Sequence, residues 1–182
     1  LLETYSASGT MLELIGSEVT PGMEIGGGSL GQGLSRGIGH ALAAKLRHHP
    51  WKVYVYMSDG ELEEGQVWEA AMVAAHYKLD NLLLIIDYNG FQVDGKIDQI
   101  TGMAPIADKW KAFRWNVFEI NGNDLSEVMH MLDNIPVNGQ PTVIISHTVM
   151  GNGISFLHGR DDIHYVKWSK EDTTRALKEL AR

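Results

Sequence analysis

Carboxylates crowd one short segment, residues 56–69 with the sequence YMSDGELEEGQVWE. They are Asp59, Glu61, Glu63, Glu64 and Glu69. A helix N-terminus favours negative charge, but five acids exceed what capping requires. Carboxylate oxygens are also the ligands that hard divalent cations prefer. The segment could therefore serve helix capping, metal binding or both.

A second oxygen-bearing side chain, Asn89, follows the apolar stretch NLLLIID and the tyrosine after it. Asp59 likewise follows a strand-like stretch, and parallel strands that lie side by side end at one edge of a sheet. Asp59 and Asn89 can then hold a divalent cation such as Mg²⁺, which prefers to share its coordination with substrate phosphates. Gly60 removes a side chain where a diphosphate would pass, and a helix predicted from Leu62 points its N-terminus there. Spacing alone leaves a plain alternative equally open, a helix cap at Asp59 and an Asn-Gly turn at Asn89.

Glycine dominates residues 26–33, GGGSLGQG, with five glycines in eight positions. The spacing does not match the dinucleotide-binding fingerprint, no convincing strand precedes it, and the Gly-Lys-Ser/Thr of a Walker loop is absent. Glycine permits a close approach of backbone to a ligand. We therefore interpret this segment as a wall that packs against a flat cofactor ring, which favours the metal and diphosphate explanation.

The elements that must position these residues alternate between strand and helix. β-branched, aromatic and continuous apolar stretches predict strands, and small or apolar residues at helical spacing predict helices. The predicted strands are 52–57, 81–87, 115–120 and 141–149, and the predicted helices are 30–47, 62–78, one from about Asp124 and one from near Ser169. Such alternation predicts an α/β fold with a largely parallel sheet flanked by helices. No repeat or linker interrupts it, so residues 1–182 are expected to form a single domain.

Composition excludes several function classes. The net charge of −8 argues against a nucleic-acid-binding face, which needs clustered Lys and Arg. The chain has no cysteine, which excludes disulfides and thiolate zinc sites and fits a cytoplasmic protein. No apolar run is long enough to span a membrane, and the opening residues do not resemble a signal peptide.

Three stretches together resemble the diphosphate-binding half of thiamine-diphosphate enzymes, and specifically transketolase. They are TPGMEIGGGSLGQGLSRGIGHALA at 20–43, SDGELEEGQVWEAAMVAAHYKLDNLLLIIDYNGFQVDG at 58–95 and HTVMGNGISF at 147–156. They occur in the family's order and cover nearly the whole chain. The family's cofactor signature is Gly-Asp-Gly followed at a set distance by Asn, and Asp59 and Asn89 stand at that spacing. The Trp-Glu-Ala-Ala and Leu-Gly-Gln-Gly stretches separate transketolase from pyruvate dehydrogenase and related families.

The resemblance implies a thiamine-diphosphate-binding fold, the cofactor thiamine diphosphate and a Mg²⁺ ion, for which Ca²⁺ or Mn²⁺ could stand. By position, Asp59 and Asn89 would ligate the metal, with the backbone carbonyl of Phe91 as the third protein ligand. The other cofactor-lining positions would be Gly28, Leu30, Gly60 and Gly151.

Catalytic roles are implied for three further residues. Glu64 and Glu69 match family carboxylates that connect paired subunits near the cofactor, and His164 lies where the family has an active-site His. Here Tyr165 follows that His where the family has Gly. Glu61 and Glu63 have no counterpart of this kind and are expected to be solvated helix surface.

Four departures separate the chain from the family pattern. Ser58 replaces the first Gly of the signature. Ser17 and Glu18 occupy the region of a donor-binding His, and no His precedes His40. The family's opening segment, with another active-site His, has no match, so the domain is expected to lack its first part. The pyrimidine-binding domain, which carries the activating Glu, and the C-terminal domain have no match either.

The resemblance thus implies the N-terminal subunit of a split transketolase, which transfers a two-carbon ketol unit from a ketose donor to an aldehyde acceptor. A partner subunit would carry the pyrimidine-binding domain, in a heterotetramer acting on a small sugar or keto substrate, with no nucleic acid or membrane involved. Two alternatives stay open. One is a specialised carboligase whose donor is not a sugar phosphate, and the other is a non-catalytic module that retains the fold.

Overall fold

A computed structural model describes residues 2–5, 7–12, 15–158, 160 and 162–181. Strands and helices alternate along it, which confirms the predicted α/β class. The elements are α1 Gln32–Leu46, β1 Val53–Ser58, α2 Gly65–His76, β2 Leu82–Tyr88, β3 Phe91–Gln92, β4 Gly95–Lys96, α3 Ile97–Ile100, α4 Ile106–Ala112, β5 Asn116–Asn121, α5 Leu125–Asp133, β6 Thr142–His147 and α6 Lys170–Leu180. Single 3₁₀ turns span Leu2–Thr4 and Gly60–Glu63.

The four longer strands form one parallel sheet in the order β1-β2-β6-β5. In its register Ser58 lies beside Asp87, and Tyr88 lies beside His147. The last residues of three neighbouring strands therefore meet at one edge, where the segments after β1, β2 and β6 begin. Ligands bind at this edge in open α/β sheets.

Apolar side chains pack on both faces of the sheet, although Tyr54 and Tyr56 of β1 are exposed. The larger core joins β1, β2 and β6 to α1, α2 and α4 through residues such as Leu34, Met57, Val67, Leu84 and Trp110. The smaller core joins Leu83, Ile120 and Ile144 to Met131 of α5. Strand β2 is buried on both faces, as its continuous apolar run predicts.

The helices predicted from about Asp124 and from near Ser169 both begin at a capping side chain. The Asp124 carboxylate accepts hydrogen bonds from the backbone N–H groups of Ser126 and Glu127. Ser169 forms a reciprocal capping box with Asp172 at the start of α6. The predicted strands and helices are thus confirmed, with ends that differ by a few residues.

Two differences change the surroundings of the site. The helix predicted over 62–78 is divided by extended backbone at Glu64 into the Gly60–Glu63 turn and α2. The short hairpin of β3 and β4, together with α3 and α4, occupies a segment for which no element was predicted. None of the helices in the described ranges is long and apolar enough to cross a membrane.

Candidate cofactor site at the carboxyl edge of the sheet

Asp59 joins the ends of β1 and β2. Its backbone N–H donates to the carbonyl of Asp87 at 3.1 Å. Its carboxylate accepts from the N–H of Gly60 at 2.9 Å and from the N–H of Gly90 at 2.6 Å, and the residue is 0% exposed. The predicted adjacency of the two strand ends is therefore confirmed.

Asn89 forms the turn that Asp59 contacts. Its Oδ1 atom accepts a hydrogen bond from the N–H of Phe91 at 2.9 Å, which closes an Asx turn. Phe91 then pairs with Lys96 across the small hairpin. Asn89 thus forms an ordinary Asx turn and also lies next to Asp59. The three predicted metal ligands are therefore the buried Asp59 and two residues, Asn89 and Phe91, of the turn that Asp59 binds through Gly90.

Burial governs the protonation of Asp59. Desolvation raises the pKa of its carboxyl group to about 6, while hydrogen bonds from Gly90 and Gly60 oppose the shift and the charge of Asp87 adds to it. Burial also raises the pKa of Tyr88, with smaller contributions from Asp98, Asp59 and Glu119. An ionised Asp59 is thus a buried negative charge whose carboxylate, among the described residues, accepts hydrogen bonds from backbone N–H groups, and a bound cation would offset its desolvation.

The donor set at this edge suits a hard cation. Within the described ranges no group of three or more His, Cys, Asp or Glu side chains could hold a metal ion. One carboxylate, one amide oxygen and one backbone carbonyl form a mixed oxygen set of the kind that Mg²⁺ uses when phosphate oxygens and water complete its coordination. The residues present therefore fit a divalent cation that is shared with a phosphate ligand.

Gly60 lies under the β3–β4 hairpin and next to Asp59. A Cβ at this position would stand 2.9 Å from the Cβ of Gln92. Any larger residue would therefore displace β3, which carries Phe91. Gly60 is thus required by the packing of the chain itself, independently of any ligand.

The glycine-rich segment packs closely against its surroundings. A Cβ at Gly26 would lie 1.7 Å from the carbonyl oxygen of Gly16, and one at Gly28 would lie 3.0 Å from the Ile15 side chain. Gly31 has a φ of 78°, and a Cβ there would lie 2.6 Å from the Cβ of Glu64. Leu30 between them is 50% exposed. The segment is therefore a backbone wall with one apolar side chain on its surface.

The expectation that Glu61 and Glu63 are solvated surface is wrong, because both side chains are half-buried. The Glu61 Oε1 atom accepts a hydrogen bond from the N–H of Gly31 at 2.7 Å. The Glu63 Oε1 atom is buried without a hydrogen-bond partner among the described residues. Glu64 and Glu69, predicted to face a paired subunit, are the two exposed glutamates of the group.

Ser58 is compatible with the turn at Asp59. Its hydroxyl oxygen accepts from the N–H of Glu61 at 3.3 Å, within the Gly60–Glu63 turn. The serine that replaces the family's glycine therefore supplies a hydrogen bond without disturbing the strand end.

The segment after β6 reaches the same edge. The N–H of Thr148 donates to the carbonyl of Tyr88 at 3.2 Å, and its hydroxyl donates to the carboxylate of Asp87. Gly151 comes next with a φ of 70°, and a Cβ there would lie 3.3 Å from the Ile163 side chain. His164, the residue after Ile163, is exposed, and its ring lies 5.0 Å from that of Tyr165 between centroids. No contact of His164 with Asp59 or Asn89 is found in the described ranges.

Several residues at this edge were not predicted. Asp87 links Asp59 to Thr148, and it could have been noticed as a charge at the end of an apolar strand. The Nε2 atom of His147 lies 2.9 Å from the carboxylate of Glu119, and its ring lies edge-on to Tyr88. Nothing in the local pattern marks this pair, because its members come from different strands.

Comparison with known proteins agrees with the geometry. The family described as transketolase, thiamine diphosphate binding domain, matches residues 16–181. The chain is 39% identical over 184 aligned residues to the 6-deoxy-6-sulfo-D-fructose transketolase subunit SqwG of Clostridium sp. (strain MSTE9), and the alignment covers 100% of this chain and 67% of that protein. It is 45% identical over 161 residues to an apulose-4-phosphate transketolase subunit of Actinobacillus succinogenes, and that alignment covers 88% of this chain and 58% of the relative.

A solved structure shares the fold. The transketolase of Campylobacter jejuni superposes with a TM-score of 0.85 at 26% identity, over 99% of this chain and 29% of that one. The chain thus spans about three fifths to two thirds of the curated subunits named above and less than a third of this transketolase.

Proposed function

The chain belongs to the transketolase family through its thiamine diphosphate-binding domain, and we propose that it anchors thiamine diphosphate and Mg²⁺ in the N-terminal subunit of a split transketolase. The complete enzyme would transfer a two-carbon ketol unit from a ketose donor to an aldehyde acceptor. Bound thiamine diphosphate supplies the electron sink that this transfer requires. The residues of this chain bind and orient the cofactor.

One observation supports the proposal most strongly: a fully buried carboxylate, Asp59, holds the turn that carries Asn89 and Phe91. In the proposed site Asp59, Asn89 and the Phe91 carbonyl ligate Mg²⁺, or Ca²⁺ or Mn²⁺ in its place. Backbone next to Gly60 and Gly151 would face the diphosphate, and the wall at Gly28 and Leu30 would face the cofactor rings. His164 would contact substrate rather than metal, which agrees with its exposure.

The proposed partner is a subunit with the pyrimidine-binding domain. Two of the relatives are named as transketolase subunits. On α2, the residues Glu69, Met72, Val73 and His76 lie at helical spacing and are exposed, opposite the buried Val67, Ala70, Ala71 and Ala74. An exposed stripe with two large apolar side chains is typical of an interaction surface. We propose that this stripe, with Glu64, faces the partner in a heterotetramer, in the cytoplasm.

The donor is proposed to differ from that of ordinary transketolases. Ser17 and Glu18 occupy the region of the donor-binding His, in a turn closed by the N–H of Thr20 on the carbonyl of Ser17 at 2.9 Å. The two subunits compared above are named for a sulfonated ketose and for apulose 4-phosphate. A specialised donor, including one that is not a sugar phosphate, therefore stays a second candidate, and a non-catalytic module a third.

Calorimetry of the full-length protein with thiamine diphosphate tests the anchor. We expect Mg²⁺-dependent binding in the wild type and none in Asp59→Ala. Binding that survives in Asp59→Ala, or that ignores Mg²⁺, would contradict the proposed site. Ketol transfer by the complex with its partner, screened over sugar and keto donors, then separates the enzyme candidates from the non-catalytic module.

A further inference from the structure

One peptide bond in the glycine-rich wall is held at both of its polar atoms. Glu61 accepts from the N–H of Gly31 at 2.7 Å, and the Gln66 side-chain amide donates to the carbonyl of Leu30 at 3.2 Å. The carbonyl of Leu30 and the N–H of Gly31 belong to the same peptide unit, which is planar. Two contacts on opposite sides therefore fix the orientation of that plane.

The Glu61 contact also completes the start of α1. Gly31 is the N-cap of this helix, has no side-chain capping hydrogen bond, and no acidic residue stands in the first turn. A carboxylate at a helix N-terminus accepts an unpaired N–H and interacts favourably with the helix dipole. Glu61 thus supplies from another part of the chain what α1 lacks in its own sequence.

Glu61 is also linked to Asp59, a proposed metal ligand. Glu61 lies in the 3₁₀ turn that begins at Asp59, and the Ser58 hydroxyl accepts the N–H of Glu61. Gly31 can also lie this close to Glu64 only because it has no side chain. The turn after β1 and the wall before α1 are therefore held together by side chains that belong to neither the metal ligands nor the apolar wall.

We propose that Glu61 and Gln66 are positioning residues that set the exposed Leu30 wall relative to the Asp59 corner, so that one ligand can reach both. This inference rests on the proposed function, since the ligand is thiamine diphosphate with its metal. Neither residue touches the metal ligands' oxygen atoms in this role. Their loss should weaken cofactor binding without weakening the metal corner itself.

Three variants and one control separate these effects in the full-length protein. Glu61→Ala removes the acceptor, Glu61→Gln keeps an acceptor oxygen without charge, and Gln66→Ala removes the other contact. Glu63→Gln is the matched control, because it neutralises a carboxylate in the same turn that has no hydrogen bond to Leu30 or Gly31 in the described structure. The readouts are thiamine diphosphate affinity with Mg²⁺, Mn²⁺ affinity without cofactor, and the ligand-free unfolding midpoint.

We expect Glu61→Ala to weaken cofactor binding about tenfold and Gln66→Ala about threefold, the scale of one hydrogen bond to a charged and to a neutral group. Glu61→Gln should recover most of the loss, and Mn²⁺ affinity should stay within about twofold. Unchanged cofactor affinity in Glu61→Ala, or an equal loss of Mn²⁺ affinity, overturns the inference while the proposed function stands. If Glu61→Ala fails to fold, unchanged cofactor affinity in Gln66→Ala also overturns it.

Failure of the proposed function gives a different result. Wild-type protein that binds no thiamine diphosphate overturns the function and, with it, the positioning role. Amide exchange at Gly31 tests the contact independently of any ligand. Protection in the wild type that is lost in Glu61→Ala supports the contact, and rapid exchange in the wild type contradicts it.

Discussion

The Oδ2 atom of Asp59 lies 2.6 Å from the backbone nitrogen of Gly90, so the end of β1 holds the turn after β2 through a buried carboxylate. A backbone hydrogen bond from the N–H of Asp59 to the carbonyl of Asp87 extends the pairing of β1 with β2 by one residue. Without a cation, an ionised side chain here is costly, since backbone dipoles compensate only part of the lost hydration. Ionisation of this buried carboxylate therefore lowers the stability of the folded protein.

Asp59→Asn should separate these two properties. The pKa of about 6, above the ordinary 3.8, means that the folded protein binds this proton more tightly than the unfolded chain. The free energy of unfolding therefore falls as pH rises through that window, by up to about 3 kcal/mol. Asn has no charge, so we expect the variant to gain about 1–3 kcal/mol relative to wild type between pH 4.5 and pH 7.5. Denaturant unfolding of both proteins at the two pH values, with EDTA to remove metal ions, measures this difference.

The same variant should lose Mg²⁺-dependent thiamine diphosphate binding at pH 7.5, where the wild-type carboxylate is ionised. Its stability gain and its binding loss must therefore occur together. A variant whose stability relative to wild type is the same at pH 4.5 and pH 7.5 would show that Asp59 does not titrate between them.

Metal binding should weaken in acid. Because protons and the cation compete for the Asp59 carboxylate, affinity should fall about tenfold per pH unit once pH drops clearly below about 6. Mn²⁺ titration without cofactor is the suitable measurement, because the phosphate groups of the cofactor titrate in a similar range. Affinity that stays constant between pH 7 and pH 5 would contradict a metal site on this carboxylate.

The strands that carry the site could be predicted because each has a strong local pattern. The β-branched Val53 and Val55 mark β1, the continuous apolar run marks the buried strand β2, and Asp124 and Ser169 mark helix starts. The hairpin and α3 and α4 could not, because two-residue strands have no periodicity and a four-residue helix has barely one turn. Trp110 of α4 is nevertheless fully buried, which shows how much of the core depends on tertiary packing.

Within the candidate site, the sequence could not distinguish the roles of neighbouring residues of the same type. Glu61 and Glu64 stand in the same acidic run, and only the folded chain shows that one is bonded to Gly31 and the other exposed. That bond joins residues thirty positions apart, and no local spacing encodes it. The metal roles of Asp59 and Asn89, predicted from their side-chain oxygens at two strand ends and from the resemblance, stay predictions, while the adjacency of the two strand ends is now seen.

The exposed stripe on α2 predicts the partner surface. Met72→Glu places a charge at a side chain that is 53% exposed, so the fold should tolerate the substitution. An interface that buries this position should not, because the unpaired charge would lose its hydration. We expect assembly with the pyrimidine-domain subunit to weaken by at least about tenfold. Leu125→Glu on α5, at a residue 73% exposed, is the matched control and should assemble normally. Size-exclusion chromatography with light scattering distinguishes the two.

Gly31 offers a test of how tightly the wall and the acidic turn are packed. Gly31→Ala must adopt a φ of 78° and place a Cβ 2.6 Å from that of Glu64, whereas Gly139→Ala has a φ of 81° and its Cβ meets no atom of the described residues within 4 Å beyond its chain neighbours. Both pay for left-handed backbone, about 1 kcal/mol, but only the first adds a steric overlap of about 2 kcal/mol. Chemical denaturation should therefore give losses of about 3 and 1 kcal/mol respectively. Equal losses would mean that the turn yields freely, and the orientation of the Leu30 wall could not then depend on Glu61.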